Sequence, residues 1–210
     1  EELAKNLKIE HHVLPIKDIY NSFYSTLEGE FTNKEPDITE ENLQSRCRGV
    51  LLMGLSNKSG DLVLTTGNKS ETAVGYSTLY GDTAGGFAVL KDVPKTLVYR
   101  LAEYRNTLSK AIPQRIIDRP PTAELSEDQK DSDSLPDYDV LDRIIEMYVE
   151  QDESKETIIE QGFNEQTVER VIKLIDFSEY KRRQAPLGVK ITPRGFGKDR
   201  RYPITNKFFK

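Results

Sequence analysis

Hydrophobic residues along the chain follow two different spacings. Short apolar runs, bounded by polar or glycine residues, predict strands at 8–14, 62–66 and 87–90. Apolar residues at steps of three and four predict amphipathic helices at 15–30, 39–56, 94–106, 137–151 and 165–183. Helices that alternate with strands in this way are typical of a parallel sheet with crossover helices. We therefore predict an α/β fold with a helical C-terminal part.

The helix predicted over 39–56 has the clearest pattern. Asp37 and Thr39 are both suitable N-caps, because their side-chain oxygens accept hydrogen bonds from the first backbone amides. The predicted core face of this helix is an apolar stripe formed by Leu43, Cys47, Val50, Leu51, Gly54 and Leu55. Asn42 and Arg46 lie on a neighbouring face that the core does not require, which makes them candidates for ligand contacts.

Composition divides the chain into four parts. Residues 1–106 carry the α/β pattern, and residues 107–136 contain four prolines and many acids, which indicates a long, flexible loop. Residues 137–183 are predicted to be helical, and residues 184–210 form an irregular basic tail. Because the first predicted strand follows a helical segment at 1–7, we expect another strand upstream and a sheet truncated at its N-terminal edge.

Charge is strongly segregated behind a formal net charge of −5. Residues 181–210 contain ten Lys or Arg and one acid, whereas 124–160 contain fourteen acids and three bases. The basic end indicates an anionic partner, and we interpret the acidic segment as a solvated helical surface. An alternative is a nucleic-acid-binding module in which Tyr202, Phe208 and Phe209 stack on bases.

Composition also excludes several classes of protein. A single cysteine, Cys47, excludes an internal disulfide and fits a reducing cytoplasm. His11 and His12 are adjacent, so in a strand they point to opposite faces and do not share a metal. We find neither a signal peptide nor an apolar run long enough to span a membrane, which requires about 18 residues. We therefore expect a cytoplasmic protein with no membrane partner.

The segment 61–71 carries the most informative candidate chemistry. An apolar run ends in Thr66 and Gly67, and a polar helix start follows at once, which is typical of a ligand loop at the edge of a parallel sheet. Such an edge suits phosphate. A Walker A loop would need glycine where Leu62 stands, and residues 81–86 lack the dinucleotide fingerprint, so both common nucleotide motifs are rejected.

Three charged residues are candidates for binding phosphate and metal. Glu71, in the first turn after a strand, is suited to Mg²⁺, and Asp82 follows a glycine on a loop expected at the same edge. Lys95, just inside a helix, offers a point charge to a phosphate. Each also has a purely structural interpretation: Glu71 as a helix-dipole partner, Asp82 as a turn residue and Lys95 as a solvated lysine.

Seven strings in this order make a more specific pattern. They are Glu41-Asn-Leu-Gln-Ser-Arg46, Thr66-Gly-Asn-Lys-Ser-Glu71, Gly75-Tyr-Ser-Thr-Leu-Tyr-Gly-Asp82, Lys91-Asp-Val-Pro-Lys-Thr96, Pro121-Thr-Ala-Glu-Leu125, Leu135-Pro-Asp-Tyr-Asp-Val-Leu-Asp-Arg-Ile-Ile145 and Asp199-Arg-Arg-Tyr-Pro-Ile204. Together they closely resemble the synthetase domain of glutamine-dependent NAD synthetases, over nearly the whole chain. Another ligase or thiolation enzyme of the same fold is the second alternative.

The resemblance implies a fold of the ATP-pyrophosphatase (adenine nucleotide alpha-hydrolase-like) type and a ligase reaction. ATP would adenylate the nicotinate carboxylate of deamido-NAD, and ammonia from glutamine, supplied by an upstream glutaminase domain, would displace AMP. The activated acyl group would need charge neutralisation and positioning rather than a covalent nucleophile. The loop at 107–136 would close over ATP and exclude water.

The resemblance also implies roles for individual residues. Thr66, Lys95 and Thr122 would contact ATP, Glu71 would hold Mg²⁺ beside deamido-NAD, and Asp82 and Lys95 would serve catalysis, Asp82 near the nicotinate or ammonia. The residues that would bind deamido-NAD are Asn42, Arg46, Glu71, Lys181, Arg200 and Arg201. It further implies a homo-oligomer and no nucleic-acid partner.

The chain departs from the family pattern in two respects. The phosphate-binding Ser-Gly-Gly-x-Asp-Ser loop with its strand is absent, and so is the glutaminase domain with its cysteine nucleophile. That loop supplies most of the pyrophosphate cradle and a second metal carboxylate in the family. We therefore expect the 210 residues alone to be an inactive part of a longer enzyme.

Overall fold

The computed structural model describes residues 1–126 and 129–205. Its sheet has three short parallel strands in the order β1 (Leu64–Thr65), β2 (Phe87–Ala88) and β3 (Leu187–Gly188). Leu64 pairs with Phe87, which pairs in turn with Leu187. Helices flank this sheet, so the predicted α/β architecture is confirmed.

The described helices agree with the predicted positions and add several short ones. In chain order they are α1 (Glu2–Leu7), α2 (Lys17–Phe31), α3 (Ile38–Ser59), α4 (Lys69–Val74), α5 (Lys95–Leu108), α6 (Gln114–Asp118), α7 (Tyr138–Ile145), α8 (Lys155–Glu160), α9 (Glu165–Phe177) and α10 (Glu179–Arg182). A 3₁₀ turn at Asp131–Asp133 precedes α7, and a π turn at Glu146–Glu150 continues it. In the described ranges, no helix is long and apolar enough to cross a membrane.

Helix α3 begins with a capping box. Asp37 accepts a hydrogen bond from the Thr39 amide at 2.7 Å, and Glu40 accepts one from the Asp37 amide at 2.8 Å, so Asp37 rather than Thr39 is the N-cap. The predicted core stripe is partly wrong, since Val50 is 60% and Leu55 51% exposed. The buried positions are Ser45, Cys47 and Gly49, and of these Ser45 and Gly49 share the face that packs against the loop at 78–82.

The predicted strand at 8–14 is also wrong. These residues are irregular and exposed, and no strand of the described part of the chain pairs with them. An extended segment becomes a strand only when a neighbour satisfies its backbone groups, so an apolar run is insufficient by itself.

The main hydrophobic core lies between α4 and the C-terminal helices. Its largest buried members are Leu141, Ile144, Met147, Ile158 and Ile175, which form one cluster with Ala73 and Val74 of α4. This core face fixes α4 against α7 and α9. The first turn of α4, which contains Glu71, lies close to the end of β1.

Two regions predicted to be irregular contain ordered elements. The loop at 107–136 includes α6 and the 3₁₀ turn, and the Asp131 amide donates to the carbonyl of Pro121 at 3.0 Å, which closes the loop on itself. The tail contributes β3 to the sheet. The sequence predictions for Lys207, Phe208, Phe209 and Lys210 lie outside the described residues.

Candidate functional site

A cavity of about 710 Å³ opens where β1 ends. Residues of helix α3, helix α5 and the segment 119–125 line it. Of the residues predicted for the site, Thr66, Glu71, Asp82, Lys95 and Thr122 line this cavity. The structure thus brings together residues that lie up to 56 positions apart in the sequence, from Thr66 to Thr122.

Glu71 and Lys95 form the charged centre of the cavity. Asn68 caps α4 by accepting the Glu71 amide at 3.0 Å, and Glu71 Oε2 accepts the Asn68 amide at 3.2 Å. The other oxygen, Oε1, lies 3.3 Å from Lys95 Nζ. Lys95 is anchored in turn, because its amide donates to Ser70 Oγ at 2.8 Å. Both side chains are about four-fifths buried, so this pair attracts more strongly than a surface pair.

Asp82 lies on the loop that α3 supports. Its Oδ1 accepts the Thr78 amide at 2.6 Å, and its own amide donates to Ser45 Oγ at 3.2 Å. The side chain reaches solvent through the cavity, but dense protein around it disfavours the charged form. Desolvation therefore raises the pKa of the Asp82 carboxyl above its ordinary value, although the Thr78 amide partly opposes the shift. A carboxyl group with a raised pKa is suited to accepting and donating a proton.

Asn42 and Arg46 support this loop and do not line the cavity. Thr78 Oγ1 donates to Asn42 Oδ1 at 2.7 Å, and Arg46 Nε donates to the Leu79 carbonyl at 3.2 Å. Their predicted contact with a substrate stays a prediction. In this structure they hold the segment that presents Asp82.

Lys181 lies beside a second, smaller cavity of about 40 Å³. This cavity shares Thr65, Glu71, Tyr76 and Asp82 with the first, so the two are neighbours. Lys181 Nζ donates to the carbonyls of Gly75 and Ser77, both at 2.7 Å. Desolvation lowers its pKa, while the carboxylate of Asp82 opposes that shift.

Arg200 and Arg201 do not line either cavity. Arg200 donates to Asp152 Oδ1 at 2.7 Å and to the Tyr202 hydroxyl at 3.1 Å, and Arg201 donates to the Gly197 carbonyl at 2.9 Å. The structure therefore places both arginines in the fold of the tail. Their predicted role with deamido-NAD stays a prediction.

Three residues of the cavity region were not among the predicted site residues: Tyr76, Asp131 and Tyr138. Tyr76 and Asp131 line the cavity, and the Tyr138 hydroxyl donates to Asp131 Oδ2 at 2.6 Å. Asp131 is only 3% exposed, so the interpretation of the whole acidic segment as solvated surface is wrong at this position. The sequence signal for these positions was an aromatic residue next to a loop. Composition alone does not distinguish such a residue from an aromatic residue of the core.

A buried ionic cluster at the start of α4 supports the candidate site. Lys69, the first residue of α4, is completely buried and lies 3.0 Å from Asp92 and 2.7 Å from Glu150. Its Nζ also donates to Thr192 Oγ1 at 2.5 Å. Asp92 in turn accepts the amides of Ile191 and Thr192. This cluster fixes α4, the segment before α5 and the tail to one another.

The described residues fit a magnesium ion only in part. Among residues 1–126 and 129–205, no group of three or more His, Cys, Asp or Glu side chains converges as a metal site. Glu71 supplies one carboxylate, and Lys95 already occupies one of its oxygens. The hard-cation geometry of Mg²⁺ requires six oxygen ligands, so this part of the chain does not complete such a site.

A parallel sheet whose strand ends open onto a cavity with a Lys–Glu pair, threonines and a tuned carboxyl defines an α/β protein with a ligand site at the carboxyl edge of the sheet. A family model described as NAD synthase matches residues 1–185. The chain belongs to the NAD synthase family.

Relatives with known names agree with this assignment. The chain is 58% identical over 207 residues to a glutamine-dependent NAD(+) synthetase from Acinetobacter baylyi, covering 98% of this chain and 38% of the relative. It is 56% identical over 210 residues to the Thermotoga maritima enzyme of the same name, covering 99% and 36% respectively. The chain thus spans little more than a third of the length of these relatives.

Solved structures give the same result. A glutamine-dependent NAD+ synthetase from Acinetobacter baumannii, in complex with ADP, matches with a TM-score of 0.56 and 53% identity, covering 97% of this chain and 36% of that one. A Cytophaga hutchinsonii glutamine-dependent NAD(+) synthetase matches with a TM-score of 0.76 and 25% identity, covering 98% and 35%.

Proposed function

We propose that this chain is the synthetase part of an enzyme that converts deamido-NAD to NAD with ATP and ammonia. The nicotinate carboxylate attacks the α-phosphorus of ATP and pyrophosphate leaves, which gives an acyl-adenylate. Ammonia then adds to the acyl carbon and AMP leaves. The gathering of Thr66, Glu71, Asp82, Lys95 and Thr122 in one cavity carries this proposal, together with the family.

Each side chain has a task that its chemistry supports. Lys95 offers positive charge to the phosphates of ATP, and the carboxylate of Glu71 holds the Lys95 side chain in place. Thr66 and Thr122 supply hydroxyl groups among the residues that line the cavity, and the segment 119–125 would help to exclude water from the acyl-adenylate. Asp82, with its raised pKa, accepts the proton that ammonia loses when the amide forms.

Several wider statements belong to the proposal. Magnesium would bind at Glu71 with ligands from ATP or from elsewhere, and glutamine would supply ammonia through a glutaminase part of the longer polypeptide. We propose a homo-oligomer in the cytoplasm, and we expect the 210 residues alone to be inactive. The relative solved with ADP supports adenine-nucleotide binding at this fold.

The tail does not favour the nucleic-acid alternative. In the described part, Arg194 and Arg200 pair with Asp152, Lys190 pairs with Asp199, and Glu179 pairs with Arg182 and Arg183. Tyr202 is 7% exposed and stacks on Tyr148 with ring centroids 6.1 Å apart, which leaves no face for a base.

The test measures NAD, AMP and pyrophosphate formed from ATP, deamido-NAD and ammonium chloride. In the complete polypeptide we expect all three products in equal amounts, and a loss of at least about 100-fold in Lys95→Met, since a lost charged contact to the transition state costs roughly 3 kcal/mol. Lys173→Met is the matched control, because Lys173 is an exposed residue of α9. Product formation by Lys95→Met at the rate of the control would contradict the proposal.

A further inference from the structure

Helix α5 begins without a capping side chain of its own. Its N-cap is Pro94, which provides no side-chain hydrogen bond, and its first turn contains no acidic residue. The backbone amides at the start of a helix have no partner within the helix, so they need acceptors from elsewhere in the fold. Here the Lys95 amide donates to Ser70 Oγ at 2.8 Å, and the Thr96 amide donates to Asp142 Oδ2 at 2.9 Å. Side chains of two other helices, α4 and α7, therefore cap α5.

The carboxylate of Asp142 joins these two contacts into one network. Its Oδ1 accepts the hydroxyl of Ser70, the same group whose oxygen accepts the Lys95 amide. Its Oδ2 accepts the Thr96 hydroxyl at 2.8 Å in addition to the Thr96 amide. Ser70 is completely buried, so its hydroxyl has no contact with bulk water. One side chain of α7 thus fixes the first turns of α4 and α5 relative to each other.

These two first turns carry the charged pair of the candidate site. Glu71 directly follows Ser70 in α4, and Lys95 directly precedes Thr96 in α5. The carboxylate and the ammonium of the pair meet at 3.3 Å in the cavity at the end of β1. Asp142 instead lines a separate cavity of about 410 Å³, which shares no lining residue with the first. It is therefore placed to act on the pair through the backbone rather than by contact with a ligand of the larger cavity.

We infer that Asp142, together with Ser70, is a positioning residue for Lys95 in the transfer of AMP to the carboxylate. This inference rests on the proposed function, in which the Lys95 ammonium meets the phosphates of ATP. A lysine ammonium stands on a flexible four-carbon stem, and a displacement of about 1 Å in a reacting group can cost on the order of 100-fold in rate. Glu71 holds the far end of this side chain, and the Asp142 network holds the backbone from which it starts.

The experiment uses the complete polypeptide and measures kcat/KM for ATP with saturating deamido-NAD and ammonium chloride. The first variant is Asp142→Asn, which keeps the shape and replaces one acceptor oxygen with an amide group. The second is Ser70→Ala, which removes the connecting hydroxyl. Each is also combined with Lys95→Met. Asp139→Asn is the matched control, because Asp139 is an exposed carboxylate of the same helix.

We expect Asp142→Asn and Ser70→Ala each to lower kcat/KM for ATP about 10- to 100-fold, and the control to change it by less than about twofold. Added to Lys95→Met, either substitution should lower it by less than about threefold more, because no ammonium is left to position. A purely structural role would reduce the activity of Lys95→Met as much as that of the unsubstituted polypeptide. All variants are assayed well below their melting temperatures, measured by circular dichroism. Ser70→Ala deletes a single oxygen and provides the test even if Asp142→Asn fails to fold.

Two outcomes overturn the inference alone. An unchanged kcat/KM in both single variants would show that Lys95 needs no support from α7. Losses that multiply with the loss of Lys95→Met would show that Asp142 acts on the fold as a whole. If the unsubstituted polypeptide forms no NAD from these substrates, the proposed function itself fails and this inference fails with it.

Discussion

The buried ammonium of Lys69 allows a quantitative prediction. Lys69→Met keeps most of the side-chain volume and removes the charge, so that Asp92 and Glu150 lose their cation. Removing one partner of a buried ion pair costs about 3–5 kcal/mol, because the remaining charge stays buried without compensation. For a chain of this size, 1 kcal/mol lowers the melting temperature by about 2–4 °C, so we expect a decrease of roughly 10 °C.

The assay is reversible unfolding in urea and by heat, followed by circular dichroism. The exposed Lys173→Met serves as control and should change stability by less than about 0.5 kcal/mol. The combined variant Lys69→Met with Asp92→Asn and Glu150→Gln should recover much of the loss, because no uncompensated charge remains. A cost below about 1 kcal/mol for Lys69→Met alone would show that water or rearrangement compensates the two carboxylates, and would refute the reasoning.

Four further predictions concern single residues. Desolvation alone would raise the pKa of Asp92, but the amides of Thr192 and Ile191 and the ammonium of Lys69 outweigh it, so the pKa is lowered in the folded state. The Asp92 carboxylate therefore stabilises the fold fully above about pH 4, and this contribution is lost as the pH falls further. Acid unfolding of Asp92→Asn should not show this pH dependence. Because the folded pKa of Asp82 is raised, its charge disfavours the folded state at neutral pH, so Asp82→Asn should be at least as stable as the natural chain in urea while the acidic limb of its kcat/KM profile disappears. Gly49→Ala would bring a Cβ to 2.8 Å from the Tyr80 carbonyl and should destabilise by about 1–3 kcal/mol, whereas Gly54→Ala, with open space, should stabilise by about 0.5–1 kcal/mol; equal effects in unfolding experiments would contradict this close approach. Asn68→Ala should cost about 1 kcal/mol through loss of the α4 cap, and Asn68→Asp should retain the cap; melting temperatures that do not separate the two variants would disprove the cap's contribution.

The sequence was sufficient to predict that some of the residues lining the cavity meet there. Thr66, Glu71 and Lys95 follow strands or open helices at one edge of a parallel sheet, and topology alone brings such positions together. The same reasoning located the helices, because a repeat of three and four residues is a strong and local signal.

The remaining features depend on tertiary neighbours that local patterns do not contain. Asp131 and Lys69 are of residue types that usually lie on the surface, so their burial can be recognised only from the distant segments that pack around them. β3 has two residues, one of them glycine, so it offers no periodicity to detect. The exposed Val50 and Leu55 show the converse, since an apolar helical stripe does not by itself determine which face is covered.

The attachment of the tail to the Lys69 cluster has a consequence during synthesis. Thr192, which completes the hydrogen bonds of this ammonium, is made 123 residues after Lys69. A nascent chain therefore cannot complete the hydrogen bonds of Lys69 until Thr192 has been synthesised, and products that terminate between these two residues lack one partner of this cation. Quality-control proteases that degrade transiently opened proteins should remove such products selectively.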